Sequence, residues 1–291
     1  MSQPDPRKGT HYQLSGTGFF ILVGSQRSGT NFFREVMNTN PDVAVHGEVL
    51  WPYPLPNVYH NFVRTMVSRA MPPISPADGM ALVDDYFVHV VDDTRRGHPQ
   101  KAEHLAMVGI DIKYNQLSFI SPLTRDLGKG PFLLDYLGDR NVPVVHMVRR
   151  NLAKQALSLT IAEARNVYHN YAGDEFEGKV EVSIDRLMGF CNWIQNQREL
   201  FRKMSANLSV LEVTYEDVAD SCRAPGADGD ISAHSCMKEI ADFLQITLNF
   251  DNPTTIKKVI NKPYKEILSN FKQVVSALKN SAFAEFAGTL E

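Results

Sequence analysis

The sequence predicts an α/β fold: a central, mainly parallel sheet flanked by helices. Three observations lead there. Five short segments rich in Val, Ile and Leu are mainly apolar on both faces, the pattern of strands covered on both sides. Helical patterns lie between them, and strand–helix alternation is the signature of a doubly wound sheet. The first strand also runs without a break into a turn of glycine and hydroxyl residues and then a helix, over Phe19-Phe20-Ile21-Leu22-Val23-Gly24-Ser25-Gln26-Arg27-Ser28-Gly29-Thr30-Asn31-Phe32-Phe33.

In chain order, the strands are expected at Gly18–Gly24, Val43–His46, Met107–Tyr114, Val142–Val148 and Leu208–Tyr215. The first helix, Thr30–Asn38, ends before Asn40-Pro41, because a residue preceding proline is pushed out of helical backbone. Asn151–Arg165 follows the fourth strand, with Asn151 as its N-cap. Ile184–Ser205 is amphipathic, with Leu187, Phe190, Cys191, Ile194, Leu200 and Phe201 marking one side. Ser235–Leu244 and Tyr264–Lys279 close the chain.

Two stretches interrupt this rhythm. Residues 51–104 open with Trp51-Pro52-Tyr53-Pro54-Leu55-Pro56 and then read as mostly helical. Residues 166–183 are rich in Tyr, His, Asn, Gly and Glu. Both are expected to be substrate-side insertions in a single domain spanning 1–291, with aromatic surfaces at Trp51–Pro56 and Tyr168–Tyr171 suited to stacking on sugar rings. Residues 1–14 and 220–233 are expected to be flexible.

Composition narrows the function. A formal charge of −3 over 291 residues gives no general affinity for nucleic acid, so any basic site must be local. The three cysteines, Cys191, Cys222 and Cys236, are widely spaced and form neither a metal signature nor a disulfide framework. The longest apolar runs fall far short of the roughly 20 residues needed to span a membrane. The polar start has no signal-peptide pattern, so the expectation is a cytoplasmic protein with no membrane span.

The turn Ser25–Asn31 carries the first chemical signal. A strand, a glycine-rich turn and a helix gather backbone N–H groups and the positive end of a helix dipole around one point, which suits a phosphate or sulfate. Gly24 and Gly29 have the spacing of a Walker-type loop, G-x-x-x-x-G-K-[ST]. Thr30, however, stands where the lysine belongs, and Asn31 where the magnesium-binding hydroxyl belongs. The turn reads as an anion holder without the usual machinery for ATP and Mg²⁺. Arg27 adds a guanidinium fork, and Ser28 and Thr30 add hydroxyl donors.

The second signal lies at the end of the fourth strand, in Val148-Arg149-Arg150-Asn151-Leu152-Ala153-Lys154-Gln155-Ala156-Leu157-Ser158. Two arginines at a strand's carboxyl end face the same rim as the first turn. Ser158 follows Arg150 by eight residues, about 12 Å of helical rise, a gap a long arginine can close. On its own such a pair is more often a solvated corner; the first turn raises its weight.

Together the two stretches resemble the sulfotransferases that use 3′-phosphoadenylyl sulfate (PAPS), and more nearly the bacterial carbohydrate branch of Nod-factor and trehalose type. The family's P-R-S-G-T-T loop is similar to Gln26-Arg27-Ser28-Gly29-Thr30-Asn31, and its arginine and serine eight apart match Arg150 and Ser158, with Arg149 as a helper. Val210-Leu211-Glu212-Val213-Thr214-Tyr215-Glu216-Asp217-Val218 is similar to a V-x-Y-E-D-L strand end. Gln26 and Asn31 depart from the pattern, and an R-K-G-x-x-G motif is absent. The resemblance implies that Ser25, Gln26, Arg27, Ser28, Gly29, Thr30 and Asn31 hold the 5′-phosphosulfate and that Arg150 and Ser158 hold the 3′-phosphate. It implies PAPS as donor, no metal, and a small-molecule or glycan hydroxyl as acceptor.

Sulfuryl transfer needs a base for the acceptor's proton. The resemblance points to Glu48, in Gly47-Glu48 after the second strand. His46 is the rival, two residues back on the same side of a continued strand. Lys113, in Gly109-Ile110-Asp111-Ile112-Lys113-Tyr114-Asn115-Gln116-Leu117, is similar to a lysine of bacterial sulfotransferases that would stabilise the leaving group together with Arg27; a snorkelling strand-end lysine is the competing assignment. Lys262 is a further cation for the nucleotide. Two other functions remain open: a P-loop-like nucleotide kinase using ATP, and a non-catalytic nucleotide-binding relative.

Overall fold

The computed structural model describes residues 12–50, 74–125, 129–166, 178–223, 235–247 and 262–290. Its centre is a sheet of five parallel strands: β2 (Thr17–Gly24), β3 (Val43–His46), β4 (Met107–Lys113), β5 (Val144–Val148) and β6 (Val210–Thr214), in the order β3-β4-β2-β5-β6. A two-residue strand, β1 (Gln13–Leu14), pairs antiparallel with the start of β2. Gln13 and Leu14 had been expected in the flexible N-terminal segment.

All eight residues of β2 are buried, as the two-faced apolar run requires. Phe20 and Leu22 pack against α1 (Thr30–Asn38), α6 (Tyr215–Arg223) and α7 (Ser235–Leu244). Phe19, Ile21 and Val23 pack against α2 (Pro76–Gly97) and α3 (Phe132–Asp139) on the opposite face. A third apolar cluster joins α4 (Leu152–Arg165), α5 (Ile184–Met204) and α8 (Phe271–Lys279). The architecture is therefore α/β, with a mainly parallel central sheet flanked by helices.

Local chemistry accounts for the ends of the helices. Asn151 caps α4 by accepting from Lys154 N at 2.9 Å, as expected. Ser75 and Asp78 form a reciprocal capping box at the start of α2, with Pro76 in the first helical turn. The stretch expected as one helix over Tyr264–Lys279 is two. Tyr264–Ile267 stops at Leu268, whose extended backbone forms a parallel bridge with Val180, and α8 starts after Asn270. Asn270 exchanges two hydrogen bonds with Val182, which holds the interruption open.

Strand order positions the site. From β2 the chain crosses to β3 and β4 on one side and later to β5 and β6 on the other, so the switch point lies at the carboxyl end of β2. Gly24, the last residue of β2, is in register with Lys113 on β4 and with Met147 on β5. Trp51–Pro56, Tyr168–Tyr171 and the 224–233 part of the expected C-terminal loop lie outside the described residues. Residues 220–223 form the end of α6, and Pro76–Gly97 is helical within the 51–104 stretch.

Candidate functional site

The Ser25–Gly29 turn sits at that switch point and leads into α1. Gly29 adopts φ 103° and gives α1 no side-chain cap, so the first N–H groups of the helix face the turn. A side chain at Gly29 would also meet Tyr215: a Cβ there would lie 2.5 Å from Tyr215 Cδ2. Backbone conformation and packing therefore both demand glycine. Arg27 takes φ 61°, a left-handed conformation that costs energy outside glycine.

Polar groups line the turn. Gln155 Nε2 donates to Ser25 Oγ at 2.5 Å and to the Gln26 carbonyl at 2.8 Å, tying α4 to the turn. The Ser28 hydroxyl and Gln155 Oε1 are buried without a hydrogen-bond partner among the described residues. Buried polar atoms are normally paired, so these two stand ready for a ligand. Lys113 Nζ donates to Thr30 Oγ1 at 2.5 Å and to both oxygens of Asp111 at 2.8 and 2.7 Å. Asn31 is exposed, and its Oδ1 accepts from Arg34 Nη1 at 3.0 Å.

Ser158 lies beside the turn, but its guanidinium partner is Arg27, whose Nε donates to Ser158 Oγ at 2.8 Å. Arg150 points elsewhere. Its Nη2 donates to Asp217 Oδ1 at 2.6 Å with 62% of its side chain exposed, and that hydrogen bond raises its pKa. Arg149 is the neighbour whose charge reaches Arg27. Burial, and then the charge of Arg149, push the Arg27 pKa down. Burial raises Tyr264, while Arg149 and Arg27 pull it back. Arg149 lies 5.2 Å from the Tyr215 ring centroid, and its carbonyl accepts from Arg198 Nη2 at 3.0 Å. Its own Nε is buried without a hydrogen-bond partner. Two guanidiniums that repel each other, with the Ser158 and Tyr264 hydroxyls, bring together the donors that an anionic group could accept from.

The Gly47-Glu48 turn follows the carboxyl end of β3, on the same rim of the parallel sheet, and Arg34 links it to the first turn of α1. The Arg34 guanidinium lies over Gly47, leaving no room for a Cβ there, and it bonds Asn31. The strand stops at His46 and Glu48 takes φ 38°, so the two do not share a continued strand face. Glu48 is half-buried. His46 Nε2 lies 2.6 Å from Thr94 Oγ1, whose proton goes to the Val90 carbonyl; His46 therefore donates toward α2. Lys262 is exposed.

Beneath the turn, on the α2 face, His146 Nε2 meets Tyr114 OH at 2.6 Å and Nδ1 meets Glu212 at 3.0 Å. Burial lowers the His146 pKa, against the hydrogen bond and charge of Glu212, which raise it. Among the described residues no group of three or more His, Cys, Asp or Glu is placed to hold a metal ion, and no helix is long and apolar enough to cross a membrane.

Sequence reasoning missed Gln155, Tyr215, Tyr264, Arg34 and Asp111. Gln155 was legible, since it stands three residues before Ser158 on the same helix face. Asp111 was legible too, two residues before Lys113 on one strand face. Tyr264 carried no local signal.

No protein-family model matches the chain, and no curated protein matches it in sequence. Among solved structures, the sulfotransferase domain from the Synechococcus PCC 7002 olefin synthase is similar over 99% of this chain and 97% of that chain, at 15% identity and a TM-score of 0.39.

Proposed function

We propose that the chain is a PAPS-dependent sulfotransferase acting on a hydroxyl of a carbohydrate, glycolipid or small molecule. The observation that carries this reading is the convergence of two anion cradles at one switch point: the Ser25–Asn31 turn and the Arg27–Arg149–Ser158–Tyr264 cluster, joined through Arg27. A donor with a phosphosulfate at one end and a phosphate at the other needs both.

In this reading the backbone of Ser25–Asn31, the Ser28 hydroxyl and the α1 N-terminus hold the phosphosulfate. Ser158, Arg149 and Arg27 hold the 3′-phosphate, and Arg149 takes the place first expected for Arg150. The acceptor oxygen forms a bond to sulfur as the bond from sulfur to the 5′-phosphate oxygen breaks, and the acceptor's proton passes to Glu48. Arg27 neutralises charge on the departing phosphate. His46 is left as a structural residue that ties the end of β3 to α2. We further propose one domain, with 51–104 and 166–183 on the acceptor side, in a cytoplasmic setting.

The kinase reading is disfavoured by Asp111. Both of its oxygens accept from Lys113, which occupies the carboxylate a magnesium ion would need beside the loop. The test is turnover of PAPS with an acceptor panel in the presence of EDTA. Release of adenosine 3′,5′-bisphosphate coupled to a sulfated product supports the reading; turnover of ATP that requires magnesium refutes it.

A further inference from the structure

Lys113 and Asp111 are an unusual pair to find under an anion-binding turn. Both side chains are almost wholly buried, at 3% and 0% exposure. Burying two charges is expensive, and apolar residues of similar volume would often serve the fold as well. The pair is also electrically neutral, so it adds little net positive charge to the site above it.

The hydrogen bonds indicate what the pair does. An ammonium has three protons, and those of Lys113 go to Asp111 Oδ1, Asp111 Oδ2 and Thr30 Oγ1. A hydroxyl has one proton. Because Thr30 Oγ1 accepts from Lys113, that proton cannot point back toward the lysine and must point away from it. Thr30 opens α1, and its Cγ2 would lie 3.2 Å from a Cβ on Gly24, beside the unpartnered Ser28 hydroxyl. No acceptor for the Thr30 proton is present among the described residues.

We propose that Asp111 and Lys113 form a buried, charge-neutral relay that fixes Thr30 as a dedicated hydrogen-bond donor to the anion in the turn. Lys113 is then a positioning residue, in place of the direct leaving-group clamp expected from the sequence. Asp111 holds the ammonium back from the ligand and aims it at the threonine. This inference rests on the donor reading only in that an anion occupies the turn.

The two roles separate in a mutant cycle read by calorimetric titration with adenosine 3′,5′-bisphosphate. Lys113→Met alone would strand a buried carboxylate, so the pair is removed together as Asp111→Asn/Lys113→Met, which keeps volume and neutrality. Thr30→Val is the second leg and the triple variant the third. Thr30→Val is expected to weaken binding about tenfold, as for loss of a hydrogen bond to a charged group. Removing the pair is expected to weaken it less, and the triple variant to bind no more weakly than Thr30→Val. Additive losses would place Lys113 on the ligand and overturn the relay. Unchanged affinity in the pair variant would also overturn it, leaving the pair a purely structural feature. Wild-type protein that binds no bisphosphate sinks the donor reading and the relay with it; wild-type binding with an additive cycle sinks the relay alone.

Discussion

Arg27 Nε donates to Ser158 Oγ at 2.8 Å, across 131 residues of sequence. One end of this bond belongs to the turn after β2 and the other to a helix that follows β5, so it joins the two cradles. Arg27 pays for that position with a left-handed backbone and with repulsion from Arg149. An anion bound between the two guanidiniums would relieve that repulsion.

Arg27→Ala should therefore damage both ends of nucleotide recognition. The expected loss in affinity for adenosine 3′,5′-bisphosphate is about 2–3 kcal/mol, and Ser158→Ala should lose about 1 kcal/mol. Arg150→Ala should change affinity little, because its exposed pair with Asp217 is worth at most about 1 kcal/mol and concerns stability. Calorimetric titration of the three variants checks the ranking.

Gly29→Ala should be among the most damaging single-methyl changes in the chain. Positive φ penalises any Cβ, and this one would enter the Tyr215 ring. A stability loss of roughly 1–3 kcal/mol is expected from the backbone alone. Tyr215→Ala should relieve the clash but not the backbone cost, so the double variant recovers only in part. Thermal midpoints of the four proteins measure both contributions.

Glu48→Gln should abolish sulfuryl transfer while leaving bisphosphate affinity within about twofold, since the amide keeps the size of the side chain and leaves the Arg34 link between Gly47 and Asn31 in place. His46→Gln should retain most activity, because His46 is committed to Thr94. Rates for both variants with a working acceptor decide which residue takes the proton.

Acid should destabilise the protein through the network under the turn. Burial keeps His146 below its ordinary 6.5, so the unfolded chain binds a proton there that the folded chain does not. Burial works to raise Glu212, but hydrogen bonds from His146 and Arg202 hold it at about 2 against an ordinary 4.5. Both depressions contribute stability at neutral pH and lose it as pH falls, His146 below about 6.5 and Glu212 between about 4.5 and 2. The thermal midpoint should drop on acidification, and His146→Gln should flatten the drop between pH 7 and 5. A variant curve parallel to wild type would exclude His146 as a source.

Much of the frame was legible in the sequence because burial on both faces leaves a continuous apolar run, and β3 and α1 end where their residues predict. The α3 segment was harder. Five of its eight residues are buried, so it lacks the polar face that marks a helix. The turn was legible since its glycine is required by local backbone geometry. The second cradle was only half legible: the spacing identified Ser158 but not which arginine reaches it, because Asp217, 67 residues beyond Arg150, captures that side chain. Tyr264 is a contact of tertiary structure alone.

The most direct test compares adenosine 3′,5′-bisphosphate with adenosine 5′-monophosphate by calorimetry, in wild-type protein and in Arg149→Ala. Two cradles on one nucleotide predict that the wild type prefers the bisphosphate by at least about tenfold, and that Arg149→Ala loses most of the preference while keeping its affinity for the monophosphate. Equal affinity of the wild type for the two nucleotides, or a preference untouched by the substitution, would contradict the second cradle.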